Sequence, residues 1–323
     1  MNIAGAAGAD PRLHCQGLPP YVWEPIDLTS LKGEIFKNAM GEDMGSKDKF
    51  WFFHDDKKWL FKYARGAGRS VRGEDWAECL VHVIAQLVGV PSACAALAEY
   101  KSHRGVVVKT ILRSNEELVH GNELLAAAID GYDKSALRHN QQYSLANIKK
   151  ALDGYSAPAP YAGAPAFDWF AGYLMMDALV AGRDRHHENW GVISCGPHVK
   201  QLAPSFDHGN ALGFAEPLDS VTSLMKDDGE QLEGWLERGY SEHFPGKPTL
   251  VQVAVEALAL ASPVGREFFL ARLHDLPLTE VRAAVGTMPS RILSEPQCSF
   301  VVEIVKRNRR RLCDAIGACE RAS

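Results

Sequence analysis

In the segment "GRDRHHENWG", residues 182–191, Asp184, His186, His187, Glu188 and Asn189 fall within six positions. A further acid, Asp207, ends the run "LAPSFD". Carboxylate and carboxamide oxygens are what a hard cation such as Mg²⁺ prefers, usually one or two carboxylates completed by phosphate and water. Asn189 and Asp207 can supply such oxygens, leaving Asp184 to accept a proton. A zinc site would need three or four converging ligands. Adjacent histidines do not readily share one ion, so His198 and His208 would have to join them. Of the two imidazoles, His186 is expected to pack beneath the loop and orient Asp184. His187 and Glu188 are expected to face solvent.

Spacing narrows the chemistry. Asp184 and Asn189 are five residues apart, and Asp207 follows "NWGVIS" and "VKQLAPSFD", two short strands around "CGPH". Catalytic loops of protein kinases separate base and metal-binding Asn in the same way, with a second metal-binding Asp after a short hairpin. A lysine and a glutamate should then come from upstream. Lys62 lies inside the apolar run "WLFKYA", where an ammonium is costly without a partner. Glu78 is the expected partner, with Glu74 one helical turn away as the alternative. The run "MGEDMGSKDKF", residues 40–50, holds Gly41, Gly45, Ser46, Lys47, Asp48 and Lys49. Its backbone N–H groups suit a phosphate-covering turn. Ser46 reads first as a turn serine and second as a modification site. Adenine is expected between the lobes, near residues 110–116.

The elements that must hold these groups can be read from periodicity. In residues 48–64 two short aromatic runs flank "HDDKK", a polar turn, which is a hairpin signal. Residues 74–88 place Trp76, Cys79, Leu80, Val83, Ile84 and Leu87 on one helical stripe, with Gly89 and Pro91 as stop signals. "CAALAEY" and "GVVVKTIL" around "KSHRG" predict a second hairpin. Helices are predicted over 121–129, 134–138, 144–152, 166–181, 248–261, 265–274, 278–287 and 295–318. Residues 1–30 are rich in Gly, Pro and Ala and read as an extended leader. The expectation is a small sheet-plus-helix lobe, then a larger helical lobe, with a boundary near 112–120.

Bulk properties are those of an ordinary globular chain. Its 323 residues are 46% hydrophobic and 23% charged, enough for a sizeable core. The net charge of −5 gives no general attraction to nucleic acid or to an anionic membrane. No stretch reaches the roughly 18 apolar residues of a membrane span, so stable membrane insertion is not expected. Seven scattered cysteines without a CxxC pair fit a reducing, cytoplasmic compartment, and Cys79 and Cys94 read as core. The N-terminus lacks a conventional secretory signal; export without a cleaved signal stays open. "KRNRRR", 306–311, reads as the solvated face of a C-terminal helix.

Together "GRDRHHENWG" and "LAPSFDHGNALG" resemble the signature of the HipA-like serine/threonine kinases, an "N-x-DRH-x-x-N" loop with a downstream "LAP-x-YD" element. "GSKDKF", "WLFK" and Glu78 follow the family's order, and the resemblance spans roughly residues 40–215. It implies an α+β, bilobal protein-kinase-like fold, with a small sheet-plus-helix N-lobe and a larger, mainly helical C-lobe. The boundaries it implies are a leader at 1–35, an N-lobe at 36–115 and a C-lobe at 116–323. It further implies ATP and Mg²⁺ as cofactors, Asp184 as base, Asn189 and Asp207 as metal ligands, and Lys62 as the phosphate-contacting lysine. Residues 45–49 would form the phosphate loop, and a protein Ser/Thr hydroxyl would be the acceptor. Gly182 replaces the family's Asn, and Phe206 its Tyr. The N-terminal subdomain of full HipA toxins is missing or much shortened, so the resemblance does not extend to an antitoxin partner. It does not choose between toxin and effector. "DRHxxN" also occurs in phosphatidylinositol kinases, which leaves a lipid or small-molecule kinase as a competing expectation, and a nucleotide-binding pseudokinase as a third.

Overall fold

Two neighbouring stretches are rich in aromatic side chains, and the strand period of two puts alternate ones on the buried face. Lys49–His54 (β3) and Lys57–Tyr63 (β4) pair antiparallel, with Phe50 opposite Phe61 and Phe52 opposite Trp59. These four rings are buried together with Ile26, Leu28, Ala98 and Val107 as one core. The same alternation turns Lys62 to the other face. The computed structural model describes residues 21–29, 35–36, 49–54, 57–66, 71–195, 199–226 and 229–322. Gly45, Ser46, Lys47 and Asp48 of the expected phosphate loop lie outside the described residues, as do His198 and most of the expected leader.

The first sheet is completed by Ile26–Asp27 (β1), Ile35–Phe36 (β2), Ala95–Tyr100 (β5) and His103–Lys109 (β6), in the order β1-β5-β6-β4-β3-β2. The β5–β6 turn is two residues long. Lys101 and Ser102 both have positive φ, 49° and 63°, the conformation that matches strand twist in a tight hairpin. Strand β1 pairs parallel to β5, and the segment before it packs on the other lobe: Trp23 Nε1 donates to the Ala284 carbonyl at 2.8 Å. Residues 21–29, part of the expected leader, are thus integral to the fold, because Tyr21, Trp23, Ile26 and Leu28 bury apolar surface there.

Helix α1, Glu74–Leu87, carries the predicted stripe but is buried on nearly every side. One face meets Leu97, Val106 and Val108 of the sheet; the rest joins the core of the second lobe. Its acids are therefore buried too, and each has a cation. Arg104 grips Asp75 with two nitrogens at 2.9–3.0 Å, and Arg65 bonds Glu74.

Residues 110–116 carry the chain from the first sheet to a second one, formed by Glu117–His120 (β7), Gly191–Cys195 (β8) and Val199–Leu202 (β9) in that order. Strand β7 was not legible in the sequence. The second lobe is otherwise helical: Gly121–Ala128 (α2), Leu145–Ala151 (α3), Ala166–Leu179 (α4), Leu218–Leu224 (α5), Glu230–Glu237 (α6), Leu250–Leu260 (α7), Pro263–His274 (α8), Leu278–Gly286 (α9) and Glu295–Ala322 (α10). Helix α4 is buried along its whole length and is the axis of this lobe. No helix appears over 134–138. There the Asp133 carboxylate accepts from both the N–H and the hydroxyl of Ser135, at 2.9 and 2.6 Å, a local turn that competes with helix formation. Helices α5 and α6 fall in a stretch where periodicity predicts no element. Among the described residues no helix is long and apolar enough to cross a membrane.

Candidate active site

Alternation along β4 places Lys62 between the two lobes. Its Nζ lies 3.0 Å from Asp207 Oδ1 and 3.9 Å from Glu78 Oε2. Glu78, not Glu74, is therefore the helix partner, since Glu74 is engaged by Arg65. Burial opposes a charge on Lys62, but Asp207 and Glu78 outweigh it and hold the ammonium above its ordinary value. Burial likewise works against the Glu78 carboxylate, and Lys62 and the His208 side chain outweigh it, so Glu78 stays ionised; the His208 backbone N–H also donates to Oε1 at 2.9 Å. Gly209 permits this approach: a Cβ there would stand 3.2 Å from the Glu74 carbonyl and 3.5 Å from Glu78 Oε2.

Asp207 follows β9 with φ 60°, a left-handed conformation uncommon outside glycine and asparagine. Such positions concentrate at functional sites, held by their surroundings. Here the neighbours on both sides are fixed. Phe206 packs against the main core, and His208 is buried with Nε2 2.7 Å from Ser205 Oγ.

Across the cleft, residues 182–190 are shaped from beneath. Arg185 is buried and forms a two-pronged pair with Asp177 of α4, both contacts at 2.7 Å, while its third nitrogen donates to the Asn189 carbonyl at 2.8 Å. The Tyr143 hydroxyl donates to the Arg185 carbonyl at 2.8 Å and receives the Trp190 indole N–H at 3.1 Å. His187 is buried, with Nδ1 2.7 Å from the Tyr132 hydroxyl. This corrects the expectation that His187 faces solvent; aromatic packing around Tyr143 draws the ring inward. His186 is half-buried. It does not carry the closest side-chain contact to Asp184, as expected of it. That contact comes from His243, a buried residue between α6 and α7 whose Nε2 lies 3.4 Å from Asp184 Oδ1.

Asp184 is 42% exposed at its side chain, so its carboxylate can meet a substrate. Burial of its inner part raises its pKa, but His243 and His186 outweigh this and hold it below the ordinary carboxylate value; nearby Asp207 pushes the other way. Asp184 and Asp207 line one small cavity together with Gly182 and Asn210. Lys62 and Glu78 line an adjoining one.

The donor set fits Mg²⁺. Asn189 uses its amide nitrogen on the Asp184 carbonyl at 2.7 Å, which leaves its own side-chain oxygen as the free donor. Asp207 offers a carboxylate that is 37% exposed. One acid and one carboxamide are what Mg²⁺ takes when phosphate and water complete the shell. Among the described residues no group of three or more His, Cys, Asp or Glu side chains could hold a metal, as zinc would require. Of the expected phosphate loop only Lys49 is described. It sits at the start of β3 directly opposite Lys62.

A small sheet with one buried helix, a mostly helical second lobe and a lysine–glutamate–aspartate cluster between them define the chain as having a protein-kinase-like fold. Its fold is similar to that of the Helicobacter pylori proinflammatory kinase CtkA, with TM-score 0.70 and 17% identity over 91% of this chain and 97% of that one. HipA of Shewanella oneidensis MR-1, solved with HipB and operator DNA, also matches, with TM-score 0.46 and 12% identity over 91% of this chain and 72% of that one. No protein-family model and no curated protein sequence matches this chain.

Proposed function

We propose that this protein is an ATP- and Mg²⁺-dependent serine/threonine protein kinase of HipA-like type. The observation that carries the reading is the charge cluster at the cleft: Lys62 within 3.0 Å of Asp207 and 3.9 Å of Glu78, with Asp184 on the wall of the same small cavity as Asp207. Asp184 accepts the proton of the incoming hydroxyl. Lys62 meets the phosphates, held in place by Glu78. Asn189 and Asp207 would hold Mg²⁺, which would supply charge neutralisation on the phosphates. Phosphoryl transfer asks mainly for positioning and electrostatic stabilisation, and buried, paired groups deliver both. The proposed acceptor is a Ser/Thr hydroxyl of a protein.

Mass spectrometry of the purified protein after incubation with Mg²⁺–ATP, with protein and lipid substrates in separate reactions, tests this. Phosphate is expected on serine or threonine of this chain or of an added protein. Asp184→Ala and Asp207→Ala are each expected to lose transfer by at least about 10²-fold with folding intact. Phosphate appearing only in lipid would favour the lipid-kinase alternative. Nucleotide binding with no transfer would favour the pseudokinase.

A further inference from the structure

His243 holds a position that the kinase reading does not itself require. Its ring is buried at 4% exposure between the catalytic loop and the turn before α3. Nδ1 lies 2.8 Å from the Leu137 carbonyl oxygen. A carbonyl only accepts, so Nδ1 carries a hydrogen, and the other nitrogen's role follows from that bond. In the neutral ring Nε2 then presents a lone pair, and it faces Asp184 Oδ1 at 3.4 Å. When the ring is charged, that nitrogen donates to Asp184 and holds the carboxylate ionised; when it is neutral, two acceptors face each other with room for one proton between them. The charged and titratable groups around this pair are His186, whose ring centre is 5.3 Å from that of His243, Asp207 across the cavity, and Glu242, which is paired with Arg138 at 3.2 Å.

We propose that His243 is the positioning residue for Asp184 and the second acceptor of the proton that Asp184 takes from the substrate hydroxyl. This rests on the kinase reading and extends it. The hydroxyl O–H bond breaks, its electron pair stays on oxygen, and oxygen bonds to the transferred phosphorus as the bond to the leaving diphosphate breaks. The proton reaches Asp184 Oδ1 and is then shared with, or passed to, His243 Nε2. The ring keeps its Nδ1–H on Leu137 throughout, and the proton returns to water once the cleft opens. The 3.4 Å contact has the length common before substrate binds; catalytic hydrogen bonds tighten in the reacting complex.

Two variants separate this role from packing. His243→Phe keeps ring volume and removes both nitrogens. His243→Gln can donate its amide to Leu137 and offer its oxygen to Asp184. In His243→Phe kcat is expected to fall about tenfold or more, a share of what a general base contributes, with KM for ATP within about twofold. His243→Gln is expected to recover part of kcat. A wild-type kcat in His243→Phe, or a loss expressed wholly in KM for ATP, overturns the proposal. A Gln variant no better than Phe overturns the positioning part, and one equal to wild type overturns the proton-accepting part, because an amide oxygen does not take up the proton. Should the variants fold poorly, ¹⁵N shifts of the His243 ring in the wild-type protein decide: an Nδ1–H ring is expected, and an Nε2–H neutral tautomer overturns it. Absence of transfer in the wild type itself is failure of the kinase reading; an active wild type, inactive Asp184→Asn and unaffected His243→Phe is failure of this inference alone.

Discussion

Two ion-pair systems meet at one small cavity, lined by Asp177, Arg185 and Asp207, and they differ in how they meet solvent. Arg185 and Asp177 are sealed, at 6% and 8% exposure, and their charges cancel. Lys62, Glu78 and Asp207 hold one positive and two negative charges, and Asp207 opens onto the cleft. The sealed pair can only position: its hydrogen bonds shape the loop from which Asp184 emerges. The open cluster has an excess of negative charge beside an ammonium, which suits a divalent cation bound to phosphate. Buried charge therefore takes two forms here, a sealed scaffold and an open cluster that the proposed function puts to chemical use.

Breaking the sealed pair should show the largest effect, and on stability. Arg185→Met leaves Asp177 buried and uncompensated, so a loss of about 3–5 kcal/mol is expected in urea denaturation. Breaking the open cluster should act chiefly on activity. Lys62→Met is expected to lower phosphoryl transfer by about 10²–10³-fold, the usual scale for one preorganised donor. Its denaturation midpoint should move less than that of Arg185→Met, because Asp207 can turn to water and buried Glu78 keeps the His208 N–H and can take up a proton. Equal stability losses in the two variants would erase the distinction.

Acid should sharpen the contrast further. Burial holds both His82, on the inner face of α1, and His187, turned inward from the Asp184 loop, down to about 4 from an unfolded value of 6.5. Between those values the unfolded chain binds protons that the folded chain refuses. Stability is therefore full above about pH 6.5 and falls as pH drops toward 4, by roughly 1–3 kcal/mol for each ring. Denaturation midpoints at pH 7, 5.5 and 4.5 read this directly. The smallest effect is expected far from both regions. Thr249 and Gln252 form a reciprocal cap at the start of α7. Thr249→Ala should cost about 1 kcal/mol and leave phosphoryl transfer unchanged.

Much of the site was legible because local spacing carried it. Asp184, Asn189 and Asp207 are separated by a loop and a hairpin whose lengths the chemistry constrains. Lys62 stood out as a lone ammonium in an apolar strand, and Glu78 fell on a helix of strong periodicity. The folded chain brings Lys62, Glu78 and Asp207 together and places Asp184 across the same cavity. What spacing could not carry was the identity of partners distant in sequence. Nothing in "SEHFPG" ties His243 to Asp184, 59 residues earlier, and nothing in "RDRHH" says which imidazole turns inward. Those choices belong to packing. Tyr132 and Tyr143 claim His187, Asp177 claims Arg185, and Leu137 fixes His243. A sequence determines which groups a chain has and how local segments curl or extend, since those depend on neighbours in the chain. Only the packed core, which must fill space and satisfy most of its buried polar groups at once, decides which of them meet.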